Sequence, residues 1–138
     1  MKNILLLSSL YPADDLKILN DTAVCHYFAK EWMKLGYNVR VIHTYHVYPF
    51  YYYYVIRLFR RVLANLTGIA VLDKKISKVC TYEKDEIKVT RIPIKKFRPG
   101  GSFSKNNIKI VSNKIREILD VESFEPNLIL GHFLHPSL

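Results

Sequence analysis

Two histidine pairs stand out in this chain of 138 residues: His43 with His46, and His132 with His135. Two such pairs converging at one sheet edge would suit a metal, which imidazole nitrogen binds directly. No Cys, Asp or Glu stands beside either pair to complete a ligand set, so no metal is assigned. His43 reads as a strand residue and His46 as a surface loop residue. His26 reads as a helix-face residue. His132 is different, because it stands where the apolar run "LILGHF" releases the chain. A neutral imidazole there can donate or accept a hydrogen bond with a hydroxyl or a phosphate.

A second group suits anions. Asn20, Asp21 and Thr22 open a helix, where free backbone N–H groups and the helix dipole attract negative charge. The Asp21 carboxylate favours simple capping instead, and both readings stay open. Basic residues form a third group: Arg57, Arg60, Arg61, Lys95, Lys96 and Arg98. The formal net charge is +9. Between Arg57 and Arg98 twelve Lys/Arg face four Asp/Glu, so the excess is local. Such a balance favours phosphorylated substrates, nucleic acid or an acidic membrane surface. No recognition helix or aromatic-interleaved strand motif supports nucleic acid. No GxGxxG follows the first apolar run and no GxxxxGK[ST] occurs, which argues against a dinucleotide or P-loop site of the usual type. Asp14-Asp15 is similar to the acidic pair of receiver domains, but lies too far beyond the first strand.

The elements that must position these residues read as α/β. "KNILLLSS" (2–9) is a near-continuous apolar run, expected for a strand covered on both faces. "DTAVCHYFAKEWMKLG" (21–36) has helical spacing at Val24, Tyr27/Phe28, Trp32 and Leu35, with Asn20 or Asp21 as cap and Gly36 as stop. "YNVRVIHTYH" (37–46) is a second strand. Together they make a βαβ unit with parallel strands. Residues 51–66 form a helix with Val55, Leu58/Phe59, Val62/Leu63 and Leu66 on one face and the arginines on another. That pattern suits a membrane surface, and the arginines exclude a simple span. A hairpin is expected over 78–94 with "EKDE" at its tip. A helix capped by Ser104 covers 104–121, and a strand covers 128–133. The predicted class is a Rossmann-like, mostly parallel sheet with flanking helices and an inserted β-hairpin. Ligands bind such sheets at the carboxyl ends of the strands.

Cys25 and Cys80 stand in no CxxC pair and read as buried thiols in a reducing compartment. The N-terminal run is short and meets Pro12 and an acidic pair at once, which suits a first strand better than a signal peptide. A cytoplasmic location follows, peripheral on the inner face of the membrane if the arginine face docks there. At this length, residues 1–138 read as a single domain.

The order of motifs carries a resemblance. "KNILLLSSLYP", a helix ending "FAKEWMKLGYNVRVI", a hairpin ending "VTRIPI", a helix, then "FEPNLILGHFLHP" together resemble the N-terminal domain of family 4 glycosyltransferases, which have the GT-B fold. Pro126-Asn127-Leu128-Ile129-Leu130-Gly131-His132 fits the family pattern "P-D-[VI]-[VI]-x-x-H", with Asn127 for the usual Asp. The resemblance implies a Rossmann-like, acceptor-side domain of a retaining enzyme that moves a sugar from a nucleotide sugar to a glycan or lipid-linked acceptor. It implies no cofactor and no bound metal. His132 matches a histidine that faces the cleft, and Asn20, Asp21 and Thr22 match a loop near donor phosphates or acceptor. Many members carry a Gly-Gly pair in that loop, which this chain lacks. It also implies a donor-binding domain beyond Leu138, so the chain reads as an incomplete, inactive fragment. The other reading is a non-catalytic α/β module that binds a small anionic ligand at the same edge.

Overall fold

The run NILLLS carries apolar side chains at successive positions, and a strand packed on both faces buries them all. In the computed structural model of the chain, which describes residues 2–14, 22–67, 78–96 and 103–132, this run is an inner strand, β1 (Asn3–Ser8). The elements that follow are α1 (Val24–Lys34), β2 (Asn38–Val47), α2 (Phe50–Thr67), β3 (Cys80–Lys84), β4 (Ile87–Lys95), α3 (Lys105–Val121) and β5 (Leu128–His132). The strands form one sheet in the order β3-β4-β2-β1-β5. Four of them run parallel and the edge strand β3 is antiparallel. The fold is α/β and Rossmann-like.

Strand alternation sorts the core into two layers. Ile4 and Leu6 face α1 together with Val39, Val41, Ile87 and Val89. Leu5 faces the other way with Ile42, Ile92, Ile94 and Val111 of α3. Each such side chain contributes about 1.5–3 kcal/mol when fully buried.

The expected hairpin is present as β3 and β4, and its second strand also joins the parallel sheet, paired with β2 from Arg40↔Lys88 to Val47↔Lys95. Ile87, Val89, Ile92 and Ile94 are all buried, which an edge ribbon would not achieve. The tip is also narrower than "EKDE". Glu83 and Lys84 pair in the ladder, leaving Asp85 and Glu86 at φ 48° and 65°. That is the type I′ turn that matches strand twist.

Helix ends follow local chemistry. Gly36 at φ 83° ends α1, with Gly36 N–H bonded to the Met33 carbonyl and Tyr37 N–H to that of Trp32. This is a Schellman stop, which favours glycine at that position. The start of α1 corrects the expectation. The N-cap is Ala23, with no side-chain cap. Thr22 Oγ1 instead accepts the Val24 N–H at 3.4 Å, a local bond that holds Thr22 outside the helix. Asn20 and Asp21 lie outside the described residues. Ser104 caps α3 as expected, its Oγ accepting the Asn107 N–H.

Two polar clusters pin the amino end of the sheet. Asn127 Oδ1 accepts the Asn3 N–H at 2.8 Å, and the Asn127 N–H donates to the Asn3 carbonyl at 2.9 Å. The pair fixes how β5 slides along β1. On the α3 face, buried Arg40 forks onto Glu122, with Nε 2.7 Å and Nη2 2.9 Å from the two carboxylate oxygens. Its Nη1 donates to the Lys88 carbonyl at 2.6 Å. Glu122 is the residue that ends α3, so this fork ties helix to sheet. The Arg40 hydrogen bond is the main force holding the Glu122 carboxyl below its usual range.

Removing one partner leaves a buried guanidinium uncompensated. Glu122→Ala is expected to cost about 3 kcal/mol, read as a lower urea midpoint at unchanged slope. The depressed carboxyl stabilises above its ordinary titration range, and that contribution is lost as pH falls through its folded value. The gap between wild type and variant should therefore close in acid. A variant as stable as wild type at neutral pH would show that the fork contributes nothing net.

Candidate functional site

Register across the four parallel strands builds the site. Ile4 lies beside Val39 and Leu128, and Leu6 beside Val41 and Leu130. The next row on this face is Ser8, with His43 on β2, Arg91 on β4 and His132 on β5. Apolar chemistry thus gives way to polar chemistry in one step along the strands, on the face that α1 covers. β1 to β2 winds one way and β4 to β5 crosses to the other side of β1, so the strand order reverses between β1 and β5. A crevice opens outside the strand ends at such a reversal. His132 stands at that point, as the sequence pattern predicts.

His132 is half-buried, and its ring lies against Cys25 and Phe28. Cys25 Sγ of α1 is 3.4 Å from His132 Nδ1, and 3.3 Å from Ser8 Oγ. Phe28, one turn further along α1, meets the ring edge-on at 6.1 Å. A crevice of about 280 Å³ lies between α1 and β5, lined by Leu6, Phe28, Trp32, Leu130, Gly131 and His132. A larger hollow of about 500 Å³ lies toward the amino end and shares Trp32 and Leu130 with it. The smaller one holds the histidine and sits at the strand ends. Cys25 is fully buried. Burial pushes its thiol up, offset in part by the Ser8 hydroxyl, so it is a neutral thiol and not a nucleophile. Cys80 is half-buried on β3, less enclosed than expected.

The second histidine of α1 sits in its own chain of bonds. Tyr11 Oη lies 2.8 Å from His26 Nδ1, and His26 Nε2 lies 3.0 Å from Asp85 Oδ2. Lys30 Nζ reaches the same oxygen at 2.7 Å. An ionised carboxylate only accepts, so His26 Nε2–H donates to Asp85 and Tyr11 O–H donates to Nδ1. His26 is therefore a helix residue, as expected, and also a buried tie between α1, the first loop and the hairpin tip. Lys30 is the main cause holding the Asp85 carboxyl down at about 2, and His26 adds to it. Burial pushes the Tyr11 hydroxyl well above its ordinary range.

His43 and His46 do not converge. A three-residue step on a strand places side chains on opposite faces. His43 is buried beside the Tyr11 and Tyr45 rings, and half-buried His46 meets Phe103 at 5.3 Å on the other face. Neither is a surface residue. Among the described residues no three His, Cys, Asp or Glu cluster as a metal site. His135 lies outside the described residues. Arg91 is the residue of this row that sequence reasoning missed. It is buried, with its guanidinium carbon 5.0 Å from the Tyr82 ring centre. The signal was a lone arginine inside the apolar strand "VTRIPI".

The basic residues divide. Arg57 and Arg61 on α2 are exposed; the Arg60 side chain and all of Arg98 lie outside what is described. Lys95 is exposed, but Lys96 is buried, its ammonium 4.9 Å from the Phe103 ring centre. Burial pulls its pKa down, so Lys96 is not part of an exposed basic surface. Helix α2 holds to the body through its first turn. Tyr53 Oη accepts the Tyr48 N–H at 3.0 Å, and the Tyr48 and Tyr52 rings are 4.1 Å apart. Tyr51, Tyr54, Val55, Leu58 and Val62 then form a stripe at helical spacing that is exposed, against the usual inward-facing pattern. Phe59 has non-helical φ and ψ and kinks the helix there. Among the described residues no helix is long and apolar enough to cross a membrane. Comparison of the chain with family models, curated proteins and solved structures finds no match.

Asp85 contributes to stability above about pH 4, and the contribution is lost as pH falls from there through about 2. Asp85→Asn should therefore melt lower than wild type at neutral pH, with the two melting temperatures meeting near pH 2. A gap that stays constant across that range would mean that the ionised carboxylate is not what ties α1 to the hairpin.

Proposed function

We propose that this is the acceptor-side domain of a retaining glycosyltransferase of the family 4 type, working at an anionic membrane surface. The observation that carries the reading is the place of His132. It ends a strand whose sequence follows the family pattern, and it lines the crevice between α1 and β5, beside the reversal of strand order. In this reading His132 orients a hydroxyl of the transferred sugar or of the acceptor. The nucleotide sugar is a co-substrate held mainly by a second domain. Orientation of both reactants supplies much of the rate, so the two walls act together. The resemblance in motif order supports the choice of chemistry, and the Rossmann-like fold is consistent with it.

Helix α2 supports the membrane part. Residues 50–67 contain no Asp or Glu, and exposed Arg57 and Arg61 accompany the exposed stripe Tyr51, Tyr54, Val55, Leu58 and Val62. An apolar stripe buried at the headgroup boundary, with arginines against lipid phosphates, is how an interfacial helix binds. A glycan or lipid-linked acceptor would then be met at the surface where it resides.

In the full-length protein, His132→Ala should lower turnover of a nucleotide sugar by roughly 100-fold, the scale of lost positioning. Turnover equal to wild type would remove His132 from the mechanism. Replacing Arg57, Arg60 and Arg61 together by Ala removes about 1 kcal/mol per arginine at an anionic surface. Flotation with phosphatidylserine-containing vesicles should fall by roughly 100-fold in partition coefficient. Equal flotation of the triple variant would sink the membrane claim.

A further inference from the structure

Lys96 is only 6% exposed. It continues the row of Ile92 and Ile94 on the α3 face of β4, because side chains alternate along a strand. Its own N–H still bonds the Val47 carbonyl at 2.9 Å. Its ammonium lies 4.9 Å from the Phe103 ring centre. Among the described residues this side chain has no hydrogen bond and no ion pair. Burial is the cause that lowers its pKa, and no acid acts to raise it. A ring face offsets only part of the cost of enclosing a charge.

The amino end of α3 lies beside this ammonium. Phe103 directly precedes the cap Ser104. Asn107 Nδ2 donates to the Lys95 carbonyl at 2.9 Å, which holds the first turn of the helix against the end of β4. Ser104 Oγ accepts the Asn107 N–H. The Lys105 and Asn106 N–H groups have no acceptor among the described residues. No acidic residue stands in this turn, and the sequence has none from 87 to 116, a stretch with nine Lys/Arg. A helix amino end carries partial positive charge. Two positive poles thus meet without a negative group, an arrangement that an entering anion relieves.

We infer that Lys96 and the first turn of α3 form a binding site for a phosphoryl group, whose oxygens accept from the ammonium and from the Lys105 and Asn106 N–H groups. Free N–H groups at a helix start suit such oxyanions. Three donors match the three acceptor oxygens of a phosphoryl group better than the two of a carboxylate. The site faces α3, on the opposite side of the sheet from His132, and β2 and β1 separate β4 from β5. It therefore does not depend on the transferase reading. A soluble phosphate ester and a phospholipid headgroup present the same oxygens, and the test separates them.

The full ¹⁵N-labelled chain is titrated with inorganic phosphate and then glycerol phosphate, with chloride holding the ionic strength fixed. Vesicles containing phosphatidic acid are tested by flotation. Inorganic phosphate should shift the Lys105 and Asn106 amides and raise the melting temperature. Lys96→Met keeps the stem and removes the charge. It should weaken phosphate binding by roughly 10-fold, the scale of one charge-assisted hydrogen bond. Without phosphate it should melt no lower than wild type, since it breaks no bond. Lys2→Met makes the same change at an exposed position at the other end of the sheet and should bind as wild type does. Lys96-dependent binding of the soluble phosphates identifies a free ligand; Lys96-dependent flotation without it identifies a headgroup. Either supports the site. The wild-type amide shifts need no variant, so misfolding of Lys96→Met would not spoil the test. Unmoved amides together with flotation indifferent to Lys96 would overturn the inference, and so would equal affinity in a folded Lys96→Met chain.

Discussion

The alignment of β1 with its two parallel neighbours is the constraint on which the site depends. Side chains alternate along a strand, so a slip of one residue would carry Ser8 or His132 to the opposite face. The Asn3–Asn127 exchange of hydrogen bonds holds β5 against that slip at the amino end. Buried apolar rows at Ile4 and Leu6 hold it along the strand. The result reaches the far end as one polar row of Arg91, His43, Ser8 and His132. A contact near the start of the chain thus decides which residue faces the crevice about 17 Å away, five strand steps of about 3.3 Å each.

Helix α1 serves this row as a polar lid with an apolar base. Ala29 and Cys25 are fully buried against the sheet, and the end of α1 nearest the strand tips carries one imidazole, that of His26, and the thiol that meets another, that of His132. His26 is set by Tyr11 and Asp85, and His132 by Cys25. His26 has both ring nitrogens engaged inside the protein, and His132 has its Nδ1 beside the Cys25 thiol. The hairpin turn takes part at a distance. Its left-handed Asp85 brings a carboxylate to α1, so strand pairing at one edge of the sheet stiffens the helix that positions His132.

Not all apolar surface is spent on folding. The stripe on α2 lies outside the two core layers, as do Leu128 and Ile129 of β5. The edge strand β3 carries Glu83 and Lys84 and is blunted by charge, in the way that edges usually are. On the α3 side a hollow of about 350 Å³ beside β5, lined by Leu5, Leu7, Val111 and Ile129 among others, leaves that strand thinly covered. Contiguous apolar surface with flanking cations marks an interaction site more often than a defect. The kink at Phe59 falls within the exposed stripe.

The α/β class was legible because apolar runs such as NILLLS and the helical spacing of Ile108, Val111, Ile115, Ile118 and Leu119 are local patterns. So were Gly36 as a stop and Ser104 as a cap, since each satisfies backbone groups within its own turn. The start of α1 was not, because Asn20 and Asp21 both suit a cap by residue type, whereas the helix begins after Ala23, which has no capping side chain. His132 was legible as a strand-end histidine. Its partners Cys25 and Ser8 were not, for they stand 107 positions apart from it in one case and are brought together only by parallel pairing. Lys96 reads as part of a basic loop and His46 as a loop residue because their burial depends on a residue further along the chain: the Phe103 ring lies against both. The sequence by itself determined the elements, their periods and the local excess of positive charge. Only the tertiary structure decided which side chains share a row, since register and strand order are long-range properties that no local pattern encodes.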